Sequence, residues 1–321
     1  MDAIRIVNLT KKYDKLTAVN KISFSIKKGE IFGLLGPNGA GKTTTLMMLS
    51  TLLKPTSGKA SVNNFDVTKD PAKVRESVGM VFQDPSSDEL LTGYENLKLH
   101  ALMYDIPLKL IDKKIDEVLE LVDLKPRKND IVKKYSGGMR RRMEIARGLL
   151  HQPEILFLDE PTLGLDPQTR NRIWKYIELL AKTMNMTIIL TTHYMEEAEN
   201  LCDRIAIIDH GKIIALDSPE NLKKAMKGDV IILKGKNLRI DQLKSLPFVK
   251  KIIKSENSLQ LTVENSAKNL QKLLQVAGEV DSVDIHSPDL NDVFLKYTGH
   301  EIREQEGGLI EQLRTYTNAG K

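Results

Sequence analysis

The sequence predicts an α/β fold, a mostly parallel sheet with helices on both faces, followed by a smaller α+β domain. Three observations predict it. The runs Ile155–Leu158 in ILFLDEP and Ile188–Leu190 in MTIILTTH are fully apolar, as strands buried on both faces of a parallel sheet are. A glycine-rich loop, GPNGAGKTT, lies between a predicted strand, Glu30–Gly36, and a predicted helix. From about residue 227 the pattern becomes short strands and helices in the order βαββαβ.

Taken in order, residues 4–9 and 22–26 alternate as strands, and EIFGLLG is a buried strand running into the glycine-rich turn. TTTLMMLSTLL follows as a helix, which Pro55 and Gly58 in KPTSGKASV break. VGMVFQD, 78–84, is a short strand. From Pro85 to about Leu150 the pattern is helical, with IDKKIDEVLELVDL an amphipathic helix. RIAIIDHGKIIAL, 204–216, reads as strand, turn, strand. In TRNRIWKYIELLAK the residues Ile173, Ile177 and Leu180 form an apolar stripe, which places Trp174 in core or edge packing. Residues 1–226 therefore make one α/β domain with a helical subdomain at about 85–150. Residues 227–300 read as strand (230–234), helix (240–246), strand (249–255), strand (258–264), helix (267–277), strand (281–286) and helix (289–297), with SENS as a hairpin turn. That is a ferredoxin-like order with one extra helix. No phosphate loop or metal cluster is legible in it. The polar tail, 301–321, reads as mobile or partner-dependent.

Composition narrows the function. Of the 321 residues, 41% are hydrophobic and 28% charged, as in a soluble globular protein. No apolar run approaches the roughly 20 residues that span a bilayer, and MDAIRIVNL lacks the apolar core of a signal peptide. The chain is expected in the cytoplasm. Its net charge of +5 permits, without demanding, attraction to anionic lipid or nucleic acid. The single cysteine, Cys202, excludes an internal disulfide and reads as a small buried hydrophobe; the six histidines show no metal-ligand spacing. The RRR run at 140–142 reads as a solvated or interface-facing helix surface, with Glu144 four residues from Arg140.

GPNGAGKTT matches the phosphate-loop pattern in its required strand-to-helix setting, the mark of a P-loop NTPase. Gly36, Gly39 and Gly41 let the backbone wrap phosphates closely, with Pro37, Asn38 and Ala40 completing the loop. Lys42 is expected to reach the β- and γ-phosphates, Thr43 to ligate Mg²⁺, and Thr44 to serve the α-phosphate. Asp159 ends an apolar strand where ligands bind in open α/β sheets, and is expected to hold Mg²⁺. Glu160, one residue on, is the candidate general base. Gln83 closes VGMVFQ and is a candidate metal or water ligand; His193 closes IILTTH and is a candidate γ-phosphate contact that holds the base. Ser136, Gly137 and Gly138 precede a second helix, Met139–Leu150, and form a second anion-seeking helix end.

Residues 1–225 resemble the nucleotide-binding subunit of an ABC transporter. The matching motifs are Tyr13 in KKYDKLTAV, the Walker A loop GPNGAGKTT, Gln83 of the Q-loop, the signature YSGGM, Walker B ILFLDE, the D-loop LGLDP and the switch His193. Two departures stand out: Tyr135 and Met139 replace the usual Leu and Gln of the signature, and Leu163-Gly164 replaces Ser-Ala in the D-loop. YSGGMRRR and SPDLNDVFLKYTG are similar to the exporter branch of daunorubicin-resistance ATPases. The resemblance implies ATP and Mg²⁺ as cofactors, with Tyr13 stacking on adenine. It implies a head-to-tail dimer in which Ser136–Gly138 of one copy cover the nucleotide on the Walker A loop of the other, with Asp166 at the interface; the second copy is this chain or a related one. It implies separate membrane permease subunits docking at about Gln83–Leu110, a peripheral location on the inner face of the membrane, and outward transport. A soluble ABC ATPase acting on ribosomes or nucleic acid is the alternative, although the chain has neither a second nucleotide domain nor a long coiled coil. Residues 227–300 are open to a regulatory or a dimer-stabilising role.

Overall fold

The computed structural model describes residues 1–14, 16–254 and 258–298. The SENS turn lies mostly, and the tail wholly, outside the described residues. The described chain groups into two compact units, 1–214 and 215–298.

The first unit opens with β1 (Asp2–Tyr13), β2 (Leu16–Lys27), β3 (Ile31–Leu35), α1 (Lys42–Leu49), β4 (Ser57–Val62) and β5 (Phe65–Asp66). It continues through α2 (Pro71–Ser77), β6 (Val78–Val81), α3 (Gly93–Met103), α4 (Leu108–Leu121), α5 (Gly137–Leu149) and β7 (Ile155–Asp159). It ends with α6 (Pro167–Met184), β8 (Thr187–Thr192), α7 (Met195–Leu201), β9 (Arg204–Asp209) and β10 (Lys212–Asp217), the last running into the second unit's first residues. The main sheet has six strands in the order β10-β9-β3-β8-β7-β6. From β9 to β6 its neighbours are parallel. Every residue of β3, β7 and β8 is buried, as their unbroken apolar runs predict. A second, antiparallel sheet has the order β2-β1-β4-β5.

Several elements were not read from sequence, for physical reasons. β1 and β2 run well past 4–9 and 22–26, because their pairing contains register shifts that break the period-two pattern. KPTSGKASV ends α1 but also starts β4, and α2 was not predicted at all. The stretch read as helical delivers α3, α4 and α5, with two short 3-10 turns between α4 and α5. The helix starts are locally coded. Thr92 and Glu95 form a reciprocal capping box on α3, and Asp166 accepts from Thr169 N at α6 with Pro167 first in the helix. Ile173, Ile177 and Leu180 are buried in α6, as their spacing indicates.

The second unit contains α8 (Pro219–Lys224), β11 (Asp229–Lys234), α9 (Ile240–Lys244), β12 (Val249–Lys254), β13 (Ser258–Val263), α10 (Ser266–Ala277), β14 (Ser282–His286) and α11 (Leu290–Thr298). Its strands run β12-β13-β11-β14, each neighbouring pair antiparallel. This is the ferredoxin-like arrangement. Its core joins Ile231, Leu233, Leu259 and Leu261 of the sheet to Leu243 of α9 and Leu273 of α10. Among the described residues no helix is long and apolar enough to cross a membrane.

Candidate nucleotide-binding site

Parallel strands end together, and that brings the sequence-predicted residues to one edge. Leu35 pairs with Thr192, Asp159 with Thr191, and Val81 with Leu158. The glycine-rich loop, His193, Glu160 and Gln83 each follow one of these strand ends. A pocket there is lined by Asn38, Gly39, Gly41, Lys42, Thr43, Thr44, Gln83 and Glu160, with Ala18 from β2. Gly41 has φ +104°, and a Cβ on it would stand 2.5 Å from the Ala18 carbonyl oxygen; only glycine fits. α1 has no side-chain cap at its N-terminus. Its first N–H groups are therefore available for an anion, which the helix dipole also favours.

Lys42 is 4% exposed. Its ammonium donates to the Gly36 and Pro37 carbonyls at 2.8 and 3.1 Å and lies 3.3 Å from Glu160 Oε1. Burial pulls its pKa down, opposed by Glu160. Glu160 has φ +45°, a left-handed conformation that is costly for a glutamate. Its backbone N–H donates to Thr191, and Oε2 lies 3.0 Å from His193 Nδ1, without the alignment of a hydrogen bond. Burial pushes the Glu160 carboxyl up, but His193 and Lys42 together outweigh it and leave it below its ordinary value. The group is thus an ionised carboxylate held beside a cation, able to accept a proton from water. Asp159 turns elsewhere: its Oδ1 accepts from Thr43 Oγ1 at 3.0 Å and Thr191 Oγ1 at 2.5 Å. Burial raises its pKa, opposed by those two hydroxyls. The Thr43 hydroxyl, the Asp159 carboxylate and the Gln83 amide are all hard oxygen donors, a set that suits Mg²⁺.

Tyr13, half-buried at the end of β1 with Lys11 Nζ 5.0 Å from its ring centroid, does not line this pocket. Nor do Ser136, Gly137 and Gly138. Ser136 and Gly137 are exposed at the start of α5, where Ser136 Oγ accepts from Met139 N at 3.3 Å. Tyr135, one of the departures noted above, is explained by packing. It is 4% exposed, and its hydroxyl donates to Arg127 O at 2.9 Å, close beneath Gly93.

Two sequence readings are corrected. The RRR run is not a solvated face: Arg141 is buried, and Arg140 and Arg142 are half-buried. Arg140 pairs with Glu89 rather than Glu144. In the second unit, where no metal cluster was read, ligand atoms of His286, Asp289 and Asp292 lie within 4.8 Å of one another. Those atoms cap α11, with Asp292 accepting from Asp289 N, His286 Nε2 and Gln260 Nε2 and Asp289 accepting from Asp292 N. Sequence reasoning also missed Glu197, fully buried and accepting from Thr162 Oγ1 at 2.8 Å and Trp174 Nε1 at 3.0 Å. No motif marks it.

Comparison with known proteins agrees with this geometry. The ABC transporter family profile matches residues 19–163, and the profile of the DrrA1-3-like ATP-binding protein C-terminal domain matches residues 218–298. A linearmycin resistance ATP-binding protein of Bacillus subtilis is 41% identical, over 92% of this chain and 98% of its own. The chain belongs to the ABC transporter ATP-binding proteins. A daunorubicin resistance ATP-binding protein of Streptomyces coeruleorubidus is 35% identical, over 95% of this chain and 97% of its own. A Nod factor export ATP-binding protein of Ralstonia nicotianae is 37% identical, over 94% and 95%. Among solved structures, an ABC subunit from Clostridium perfringens has a TM-score of 0.65 at 31% identity, covering 70% of this chain and 93% of its own. An ABC cassette dimer bound to ADP and Pi has a TM-score of 0.61 at 28% identity, covering 67% and 98%. This ABC protein is accordingly an ATPase with the P-loop NTPase fold and a DrrA-type C-terminal domain.

Proposed function

We propose that the chain is the ATP-hydrolysing subunit of a membrane exporter, working as a head-to-tail dimer. The observation that carries this reading is the separation of two anion-seeking helix ends. The N-terminus of α1 opens into the P-loop pocket, whereas Ser136 and Gly137 at the start of α5 are exposed and Ser136–Gly138 line no part of that pocket. A second copy supplies what each pocket lacks. Lys42 binds the β- and γ-phosphates, Tyr13 stacks on adenine, and Ser136–Gly138 of the partner cover the γ-phosphate. Glu160 takes the proton from the attacking water, and His193 keeps its carboxylate in place. Thr43, Asp159 and Gln83 would hold Mg²⁺, which neutralises phosphate charge when bound. The relatives' resistance and export functions favour an exporter over a ribosome- or nucleic-acid-directed ATPase.

The membrane partners are integral permease subunits, which would place the chain peripherally on the inner face of the membrane. Leu90, Leu99, Leu102, Met103, Leu108 and Leu110 leave large apolar side chains exposed across α3, α4 and the loop before α3, a surface suited to an apolar partner. The test is an affinity pull-down of Glu160→Gln from detergent-solubilised native membranes with Mg-ATP. A polytopic membrane protein recovered in near one-to-one ratio is the expected result. Ribosomes or nucleic acid, with no membrane protein, would overturn the reading.

A further inference from the structure

Helix α5 buries two opposite charges that none of the motifs above uses. Arg141 is 7% exposed and Glu144 1% exposed. A buried charge is costly unless hydrogen bonds compensate it, and both of these are compensated by backbone at the edge of the site. Arg141 Nε donates to Pro161 O at 2.6 Å, Nη2 to Asp159 O at 2.8 Å and Nη1 to Phe82 O at 2.5 Å. Asp159 and Pro161 flank Glu160, and Phe82 immediately precedes Gln83. About one turn further along α5, Glu144 Oε1 accepts from Ser86 N at 3.2 Å and Ser87 N at 2.9 Å, and Oε2 from Ser86 Oγ at 3.0 Å. Arg147 supports Glu144 at 3.1 Å. The loop that carries Gln83 is thus clamped on both sides of it by one helix. The same helix grips the backbone on both sides of Glu160. Neither Arg141 nor Glu144 lines the nucleotide pocket.

We propose that Arg141 and Glu144 are positioning residues for ATP hydrolysis, a brace that sets Gln83 and Glu160 relative to the bound nucleotide. Arginine is required because three carbonyls in different directions need the planar fork of a guanidinium; an ammonium is a point charge on a flexible stem. Glutamate is less strictly required, because a glutamine Oε1 accepts from the same two N–H groups. The brace acts on the geometry of the hydrolytic residues and not on the phosphate loop. It therefore governs turnover, not affinity. The inference rests on the reading of Gln83 and Glu160 as working residues.

The test measures ATP affinity, kcat and thermal stability in the full-length protein for Arg141→Lys, Glu144→Ala, Glu144→Gln, Gln83→Ala and the pair Gln83→Ala with Arg141→Lys. Arg141→Lys and Glu144→Ala should lower kcat per folded molecule by about 10- to 100-fold, the scale of small misplacements at a reacting centre. ATP affinity should be unchanged, and Glu144→Gln should recover most of the loss. Gln83→Ala should also lower kcat, and adding Arg141→Lys to it should lower kcat less than the separate effects predict, because both act through one loop. Full additivity, or a melting-temperature drop with normal kcat in the folded fraction, would make the pair a structural staple and overturn the brace. A fall with Gln83→Ala but none with Arg141→Lys or Glu144→Ala would overturn the brace alone. Unchanged kcat in Gln83→Ala would overturn the reading of the Q-loop, and the brace with it.

Discussion

The two helix N-termini of the first unit, α1 and α5, offer anions the same chemistry in opposite settings. α1 has no side-chain cap, its loop is largely buried, and Lys42, Thr43, Asp159, Glu160 and His193 are already joined by contacts within one chain. α5 is capped by its own Ser136, and Ser136 and Gly137 at its start are exposed. At α1 the proposed catalytic side chains converge within one chain; at α5 the exposed Ser136 and Gly137 meet none of them. The contrast teaches that motif content alone does not make a site; the fold decides which donors converge, and here it sends two sets apart.

The comparison can be broken at either end. The largest effect is expected at α1. Lys42→Ala removes the only buried cation lining the pocket among the described residues and should abolish productive ATP binding, measured by equilibrium nucleotide binding. Retained affinity would contradict the phosphate-loop reading. Next, Glu160→Gln should keep ATP affinity and lower kcat by about 10²-fold or more, the scale of a lost general base. Wild-type turnover would place the base elsewhere.

How much of this was legible beforehand follows from what kind of signal each residue leaves. Lys42, Thr43, Asp159, Glu160 and His193 lie at ends of apolar strands or in a glycine-rich turn, so a one-dimensional pattern marks them. The parallel sheet was legible for the same reason, because strands buried on both faces read as unbroken apolar runs. The antiparallel sheet was not, because bulges in the β1–β2 pairing scramble its alternation. Arg141 and Glu144 were misread because charged residues on a helix ordinarily face water; only the packing of α5 against the ends of β6 and β7 shows that these face inward. Tyr135 read only as a departure from the usual signature leucine, and its packing under Gly93 becomes visible only in three dimensions.

Two smaller effects sharpen the contrast near α5 and α6. Tyr135→Phe deletes the hydrogen bond to Arg127 O and should cost about 1 kcal/mol in urea unfolding. ATP hydrolysis should not change, since the hydroxyl supports the loop before α5 rather than its anion-seeking end. The smallest effect concerns Glu197. Burial raises its carboxyl above the ordinary value of 4.5, opposed by Thr192, Thr162 and Trp174. A group raised in the folded state contributes stability that is full below its unfolded value and is lost as pH rises through the folded one. The stability of wild type relative to Glu197→Gln should therefore decline as pH rises from about 4.5 through that raised value. Trp174, the chain's sole tryptophan, donates to this carboxylate, so its fluorescence should titrate in wild type and not in the variant.

The most direct test of the composite site uses the absence of exposed native thiols, since Cys202, the chain's single cysteine, is buried. Glu160→Gln carrying Asn38→Cys is mixed with Glu160→Gln carrying Met139→Cys and treated with a short thiol cross-linker. Mixed dimers joining the phosphate loop of one copy to the signature of the other should form with Mg-ATP and not without it. Failure to form them, with ATP bound to both variants, would contradict the head-to-tail dimer.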